Sequence, residues 1–294
     1  MRLAFVTDAE HPKLYQDDLP LKDYLEAQGI LISVVVWNNP MTTWTEYDYI
    51  IIRSVWDYFQ KENEFSQWLG RLESENIRVF NPVSVLNWNK HKSYLLEFAK
   101  ADIRIPETEY VFQNQSISLS KILSKRHWTK AVIKPTVSAG AYKTWIVTHE
   151  NVKQIQSFFD ALITEQDVLI QKFAEEIISQ GEISLIFFNK KFSHAVLKTA
   201  KQGDFRVQHQ YGGKYIPYSP TDNILAQVAN IISKIEDPLL YARIDGFYNI
   251  NNQFSLMELE LIEPVLFFES DASAAENFYS GFLEIISSLG KSLK

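Results

Sequence analysis

F-S-L-M-E-L-E-L-I-E-P, running from Phe254 to Pro264, sets glutamates into an otherwise apolar run. On a strand, alternate residues share a face. Met257, Leu259 and Leu261 are therefore expected on one side, and Glu258 and Glu260 on the other, beside Leu256 and Ile262. Two carboxylates roughly 7 Å apart on a partly apolar face repel each other and lose hydration. Burying such charge unpaired costs several kcal/mol per ion, so a cation is expected there, and a hard divalent ion suits oxygen ligands. The preceding stretch, Tyr241-Ala242-Arg243-Ile244-Asp245, puts Arg243 and Asp245 on one face by the same alternation. If the turn at Asn249 to Gln253 makes the two strands a hairpin, Asp245 meets Glu258 near its middle. That gives a three-carboxylate site, Asp245, Glu258 and Glu260, with an arginine beside it. The same spacing suits an amphipathic hairpin whose acids face water.

Outward from this hairpin, Lys134 ends an apolar strand and enters Pro135-Thr136-Val137-Ser138-Ala139-Gly140-Ala141. Small residues let backbone N–H groups approach an anion, and the lysine adds a point charge. The loop is neither a P-loop nor G-x-G-x-x-G, and a plain turn reads equally well. Lys92, Lys198 and Arg206 are further cations in suggestive places, each also readable as a solvated surface charge. His194 reads as structural.

The first 85 or so residues alternate strand (Leu3 to Val6, Leu31 to Val36, Tyr49 to Ile52, Ile77 to Phe80) with helix (Leu19 to Ala27, and around Phe65 to Leu72). Such alternation implies a parallel sheet covered on both faces. A helix is expected over His91 to Ala101. Strands follow at Ala131 to Lys134, Thr144 to Val147 and Val168 to Gln171, with a helix over Val152 to Leu162. Beyond that, strand-like runs at Ile183 to Phe188, Phe192 to Leu197, Phe205 to Gln208, Ala242 to Phe247 and Phe254 to Ile262 are joined by short polar turns. Helices interrupt at Leu225 to Ile235 and Ala274 to Leu289. The fold class is thus α/β followed by α+β.

Composition narrows the function. The 294 residues carry a formal net charge of −7, which opposes general nucleic-acid binding. There is no cysteine, which excludes disulfides and thiolate chemistry. No apolar stretch approaches the roughly 18 residues of a membrane helix, so a membrane partner is not expected and the cytoplasm is the default location.

Together these features resemble the ATP-grasp superfamily over essentially the whole chain. Ligases such as D-alanine–D-alanine ligase carry Arg-x-Asp and, thirteen residues after the Asp, Glu-x-Asn; here Arg243-Ile244-Asp245 is followed at that interval by Glu258-Leu259-Glu260. G-D-F-R-V-Q-x-x-x-G-G, residues 203–213, is similar to a stretch of ribosomal-protein glutamate ligases and bacterial glutathione synthetases. A narrower likeness is to the cyclo-ligase that closes O-ureido-D-serine to cycloserine. It rests on R-S-V-W-D-Y (Arg53 to Tyr58), the N-x-x-K at Lys92, K-P-T-V-S-A-G-A (Lys134 to Ala141), F-S-H-A-V-L-K (Phe192 to Lys198) and M-E-L-E-L-I-E-P (Met257 to Pro264).

The resemblance implies an ATP-grasp fold: an N-terminal pre-ATP-grasp α/β domain (1–88) and two subdomains clasping ATP (89–172 and 173–294). It implies that Lys92, Lys134 and the loop Ser138, Ala139, Gly140 hold phosphates, and that Gln171, Lys172 and Phe173 frame the adenine. Glu182 would take the ribose hydroxyls, and Asp245, Glu258 and Glu260 would hold magnesium, with manganese as an alternative. Glu260 departs from the usual Asn, adding a charge to that site. Lys198 and Arg206 would neutralise phosphate oxygens, and Arg243 would stabilise the intermediate. Arg53, Trp56 and Asp57, following a strand of an open α/β sheet, would face the substrate, with Arg53 on a carboxylate and Asp57 on an amine; alternatively Trp56 packs an interface and Arg53 and Asp57 pair internally. The implied activity is ADP-forming ligation of a small amino-acid-like substrate, through an acyl phosphate, to an amine. Competing expectations are a peptide-type ligase joining two amino acids or modifying a protein tail, and a nucleotide-binding protein without catalysis. Whether the chain forms a homodimer is left open.

Overall fold

Leu3 and Phe5 point to one side of the first strand, Ala4 and Val6 to the other, and both sides are covered. In the computed structural model, which describes residues 1–201, 206–207, 211–249 and 251–290, strands β1 (Arg2–Thr7), β2 (Leu31–Val36), β3 (Tyr49–Ser54) and β4 (Val79–Phe80) form a parallel sheet of order β2-β1-β3-β4. Helices α1 (Leu19–Ala27) and α9 (Ala274–Ser288) bury Leu21, Leu25, Phe278 and Phe282 against one face. On the other face, α2 (Glu62–Ser74) buries Phe65, Trp68, Leu69 and Leu72. A strand covered on both sides needs an unbroken apolar run, which is why Tyr49 to Ile52 does not alternate. The strand order reverses between β1 and β3, and segments that follow such a switch point face a crevice.

A second sheet, order β5-β8-β6-β7, is wholly antiparallel: β5 (Thr108–Val111), β6 (Lys130–Pro135), β7 (Trp145–Thr148) and β8 (Val168–Lys172). Helices α5 (Leu119–Arg126) and α6 (Val152–Glu165) cover it through Leu123, Phe159 and Leu162. The third sheet, order β11-β10-β9-β12-β13, holds β9 (Glu182–Phe188), β10 (Lys191–Thr199), β11 (Lys214–Pro217), β12 (Tyr241–Tyr248) and β13 (Phe254–Glu260), again antiparallel. Asn189 and Lys190 both take positive φ (47° and 61°) between β9 and β10, the backbone of a tight hairpin turn. Helix α8 (Asp222–Ser233) and two helices preceding the second sheet, α3 (Val83–Asn89) and α4 (Tyr94–Lys100), pack on this third sheet through Val228, Val85, Tyr94 and Phe98.

Some sequence expectations change. The helix expected from His91 begins at Tyr94, because the Lys92 amide is bonded to the Thr136 carbonyl (2.8 Å) instead of opening a helix. Helix α3, strand β5 and helix α5 were not foreseen, and the strand expected over Ile77 to Phe80 is only the pair Val79–Phe80. Of the strand expected at Phe205 to Gln208, only Arg206 and Val207 are described, and they are not in a strand; most of the 203–213 segment lies outside the described residues. No described helix is long and apolar enough to cross a membrane.

Strand β13 lies at the sheet edge, where outward backbone groups need partners. Three side chains supply them. The Tyr94 hydroxyl bonds both the amide and the carbonyl of Leu259, each at 3.0 Å. The Asn89 carboxamide donates to the Leu259 carbonyl and accepts from the Leu261 amide (2.8 and 2.9 Å). Asn81 donates to the carbonyls of Leu261 and Tyr241 (2.9 Å each). The acidic strand is thereby locked in register.

One register detail corrects the reading of that strand. A bulge falls between Asp245 and Gly246 on β12, so that Asp245 opposes Glu258 while Gly246 opposes Leu256. The extra residue, Met257, breaks the alternation. Leu256 joins Leu259 and Leu261 in the core instead of lying beside the glutamates, and Met257 packs near Ile177 and Phe247. A Cβ on Gly246 would lie 2.3 Å from the Ser255 carbonyl and 2.5 Å from the Phe254 ring. Gly246→Ala is therefore expected to cost about 1–3 kcal/mol through overpacking, read as a lower urea midpoint; an unchanged midpoint would mean the bulge relaxes freely.

Candidate active site

The three sheets enclose one cavity of about 790 Å³. From the first sheet, the segments after β1 and β3 bring Asp8, His11, Trp56, Asp57 and Tyr58 to its wall. From the second come Lys134 at the end of β6, the loop Ser138, Ala139 and Gly140, and Gln171, Lys172 and Phe173 at the end of β8. The third sheet contributes Glu182, Lys198, Arg243, Asp245, Glu258 and Glu260. Lys92 and Arg206 complete the cationic set.

Most of these cations are held by the acids. The Arg243 guanidinium grips Asp245 with two donors, Nε to Oδ1 at 3.0 Å and Nη2 to Oδ2 at 2.9 Å, and pairs with Glu260 as well. Lys198 bridges Asp245 (3.2 Å) and Glu182, its cross-strand partner on β9. Ser184 donates to Asp245 at 2.5 Å. Burial opposes the Asp245 charge, yet Arg243 and Lys198 hold its carboxyl well below the usual carboxylate range. Lys92 meets the Ser138 carbonyl (2.5 Å) and Glu258 (3.1 Å). Burial also opposes the Glu258 charge, but Lys92 and Lys134 hold it down.

Glu260 behaves differently. Burial raises it, and although Arg243 pulls the other way, the charges of Asp245 and Glu258 add to the rise. Of the three acids it is the one whose charge the site holds least well. Among the described residues, however, no three acidic or histidine side chains converge as a set that could hold a metal ion. The three carboxylates expected as ligands line one cavity, with each turned onto a cation: Asp245 to Arg243 and Lys198, Glu258 to Lys92, and Glu260 to Arg243.

Lys134 stands apart. It has no hydrogen bond or ion pair among the described residues, and burial brings its ammonium down to about 8. Arg206 lies over the Tyr211 ring at 3.7 Å, and the Tyr211 hydroxyl reaches the Gly140 carbonyl at 3.3 Å. Gln171 donates to the Thr108 hydroxyl (2.9 Å), Lys172 turns its exposed side chain to Glu107 (2.8 Å), and Phe173 lies under the Lys130 ammonium (4.3 Å). Val132, Ile177, Met257 and Leu259 add apolar wall to the same cavity, which suits a flat aromatic ring.

The substrate-facing segment needs correction. Arg53 is 1% exposed and lies off the cavity wall; it donates to Asp18 Oδ1 (Nε, 2.9 Å) and to the Pro264 carbonyl (Nη2, 2.9 Å). Its Nη1 has no partner, but the guanidinium does not reach the cavity wall, and its internal partner is Asp18 rather than Asp57. The Asp57 carboxylate is taken by the Trp37 indole (2.8 Å) and Lys61 (2.6 Å), which leaves it poorly placed to bind an amine. Trp56 does line the cavity, its indole bonded to the Glu263 carbonyl at 3.0 Å. His194, read as structural, is buried, with Nε2 on the Leu266 carbonyl at 2.8 Å.

Sequence reasoning passed over Tyr211, Asp17 and the pair Asp8–His11 (2.8 Å) on the cavity wall. The only signal for Asp8 and His11 was their place directly after the first strand.

Comparison with known proteins accords with this geometry. RimK-like ATP-grasp domains match residues 87–265, and the N-terminal domain of D-cycloserine synthetase DcsG matches residues 3–81. The cycloserine biosynthesis protein DcsG of Streptomyces lavendulae is 25% identical over 279 residues, spanning 90% of this chain and 92% of that protein. The crystal structure of D-cycloserine synthetase DcsG superposes with a TM-score of 0.87 at 22% identity, over 97% of this chain and 100% of the other. D-alanine–D-alanine ligase from Bacillus anthracis, complexed with ATP, gives 0.70 at 15% identity over 97% and 96%. The macrocyclase MdnC from Microcystis aeruginosa, bound with precursor peptide MdnA, gives 0.67 at 13% identity over 96% and 99%.

Proposed function

Because the chain belongs to the RimK-like ATP-grasp family, we propose that it activates a carboxylate or similar acyl group of a small amino-acid-like molecule as an acyl phosphate. An amine then attacks the acyl carbon, and ADP and phosphate leave. The observation that carries this reading is the single cavity in which Lys92, Lys134, Lys198, Arg206 and Arg243 meet the acidic hairpin.

Lys134, lacking a partner among the described residues, is the cation readiest to take a phosphate oxygen. Lys92 and Lys198 turn from carboxylates to phosphate when the nucleotide enters, and Arg206 closes from the Tyr211 side. The backbone after Pro135, held by Val137 N on the Gln166 side chain (2.9 Å), positions Ser138, Ala139 and Gly140 beside the phosphates. Gln171, Lys172 and Phe173 frame the base partly through backbone groups, and Glu182, once Lys198 is drawn away, accepts the ribose hydroxyls. Donor chemistry fits a hard divalent cation: Asp245, Glu258 and Glu260 offer oxygen alone, and a bound cation would favour the charged form of Glu260, which burial disfavours. Magnesium there would supply charge neutralisation for the β- and γ-phosphate oxygens. Arg243 remains near the acyl carbon to stabilise charge that develops in the transition state.

The likeness to cycloserine proteins favours ring closure within one substrate. The test is ADP and phosphate release with magnesium ATP against O-ureido-D-serine and a panel of amino acids, singly and in pairs. Release with a single substrate supports cyclisation, and release only with pairs supports intermolecular ligation. AMP and pyrophosphate as products would overturn the mechanism.

A further inference from the structure

Asp17 and Asp18 sit side by side in a short turn, Gln16–Asp18, that leads into α1, and they meet opposite fates. Asp18 takes the Arg53 guanidinium and the Ser54 hydroxyl. Asp17 takes nothing: it is 4% exposed, lines the cavity, and neither of its oxygens has a hydrogen-bond partner. The Phe267 amide is close enough to favour its charged form, but without hydrogen-bond geometry. Buried polar groups are almost always partnered, and an exception calls for an explanation.

The surroundings say what is missing. The strongest charges acting on Asp17 are Asp18, Arg53 and Glu269; Arg53 gives Nε and Nη2 to Asp18 and the Pro264 carbonyl, and its Nη1, though unpartnered, makes no hydrogen bond to Asp17. Burial, with the Asp18 charge beside it, pushes the Asp17 carboxyl up to about 7. Tyr15 and Tyr215 both line this corner, and both feel the charges of Asp17 and Glu269. Tyr15 packs edge-on against Trp56 (4.8 Å) and Tyr215 against Phe267 (4.9 Å). A corner of acids and aromatic rings suits a cation, since ring faces attract positive charge too. A quaternary ammonium has no N–H for the orphaned oxygens. A primary ammonium has three donors.

We infer that Asp17, with Glu269 beside it, binds the primary ammonium group of the substrate, so that the enzyme selects amino acids over the corresponding hydroxy acids. This rests on the ligase reading and deepens it, and it gives Asp17 the part that the sequence suggested for Asp57.

Two measurements test it. The first needs no substrate. At pH 8, ligand-free Asp17→Asn should melt several degrees above wild type, because it removes an unpaired buried charge. A purely structural Asp17 would make the variant melt lower, which would overturn the inference. In the second, calorimetry in saturating non-hydrolysable magnesium ATP analogue compares serine and alanine with glycerate and lactate. Wild type should prefer the amino acids at least about tenfold, on the order of one charge-assisted contact, and Asp17→Asn should lose that preference. A preference retained in the variant, or absent from wild type, would overturn it. Failure of the analogue to bind wild type would instead sink the ligase reading, and the melting comparison alone would then decide whether Asp17 is held ready for a ligand.

Discussion

Lys134→Ala is expected to lower kcat/KM for ATP by about 10²–10³-fold, the usual cost of one pre-organised charge donor, without lowering the melting temperature. The second half follows from the structure: the ammonium makes no ion pair among the described residues and is desolvated enough to be brought down to about 8. Alanine therefore breaks no hydrogen bond or ion pair, and Glu258, whose charge Lys134 also favours, keeps its ion pair with Lys92. ADP release by the purified variant, set beside its thermal melt, checks both halves. Full activity would remove Lys134 from the mechanism, and a lowered melt would mean it supports the fold. Arg243→Ala cannot be read as cleanly. It would leave Asp245 and Glu260 without their guanidinium, and stranding a buried charge costs about 3–5 kcal/mol, so a normally folded inactive variant is not expected there.

Arg53→Met should be the most destabilising single change at the edge of the site, by about 3–5 kcal/mol, because it leaves Asp18 buried and unpaired. Arg53 also ties β3 to the Pro264 carbonyl, four residues beyond the end of the acidic strand β13, so the substitution loosens the junction between the first and third sheets. Urea unfolding measures the loss. A raised KM with unchanged stability would instead restore Arg53 as a substrate ligand, the role that the sequence suggested.

That reversal marks where the sequence stops being legible. Alternation along two short strands was enough to place Arg243, Asp245, Glu258 and Glu260 on one hairpin face, and the observed register sets Asp245 opposite Glu258. The opening parallel sheet followed from the alternation of strand and helix, and the β9–β10 hairpin from the short polar turn between its strands. These are local signals. The partner of Arg53 lies 35 residues away, and nothing in R-S-V-W-D-Y distinguishes a guanidinium facing substrate from one facing Asp18. Pairing of Glu182 with Lys198 depends on the register of two strands. Asn81, Asn89 and Tyr94 satisfy the edge at Leu259 and Leu261 across 165 to 180 residues of chain, so their polar side chains gave no local hint of the strand they serve. Met257 changed faces because Gly246, twelve positions upstream of Glu258, admits a bulge. In each case a contact distant in sequence overrode a pattern that was locally consistent.

The central claim, that the cavity between the sheets binds a magnesium nucleotide through the acidic hairpin, is met most directly by calorimetry. A non-hydrolysable ATP analogue is titrated into wild type and Glu258→Ala, with and without magnesium. Magnesium-dependent binding by wild type that weakens in the variant is the expected result. Absence of binding by folded wild-type protein in every condition would contradict the claim.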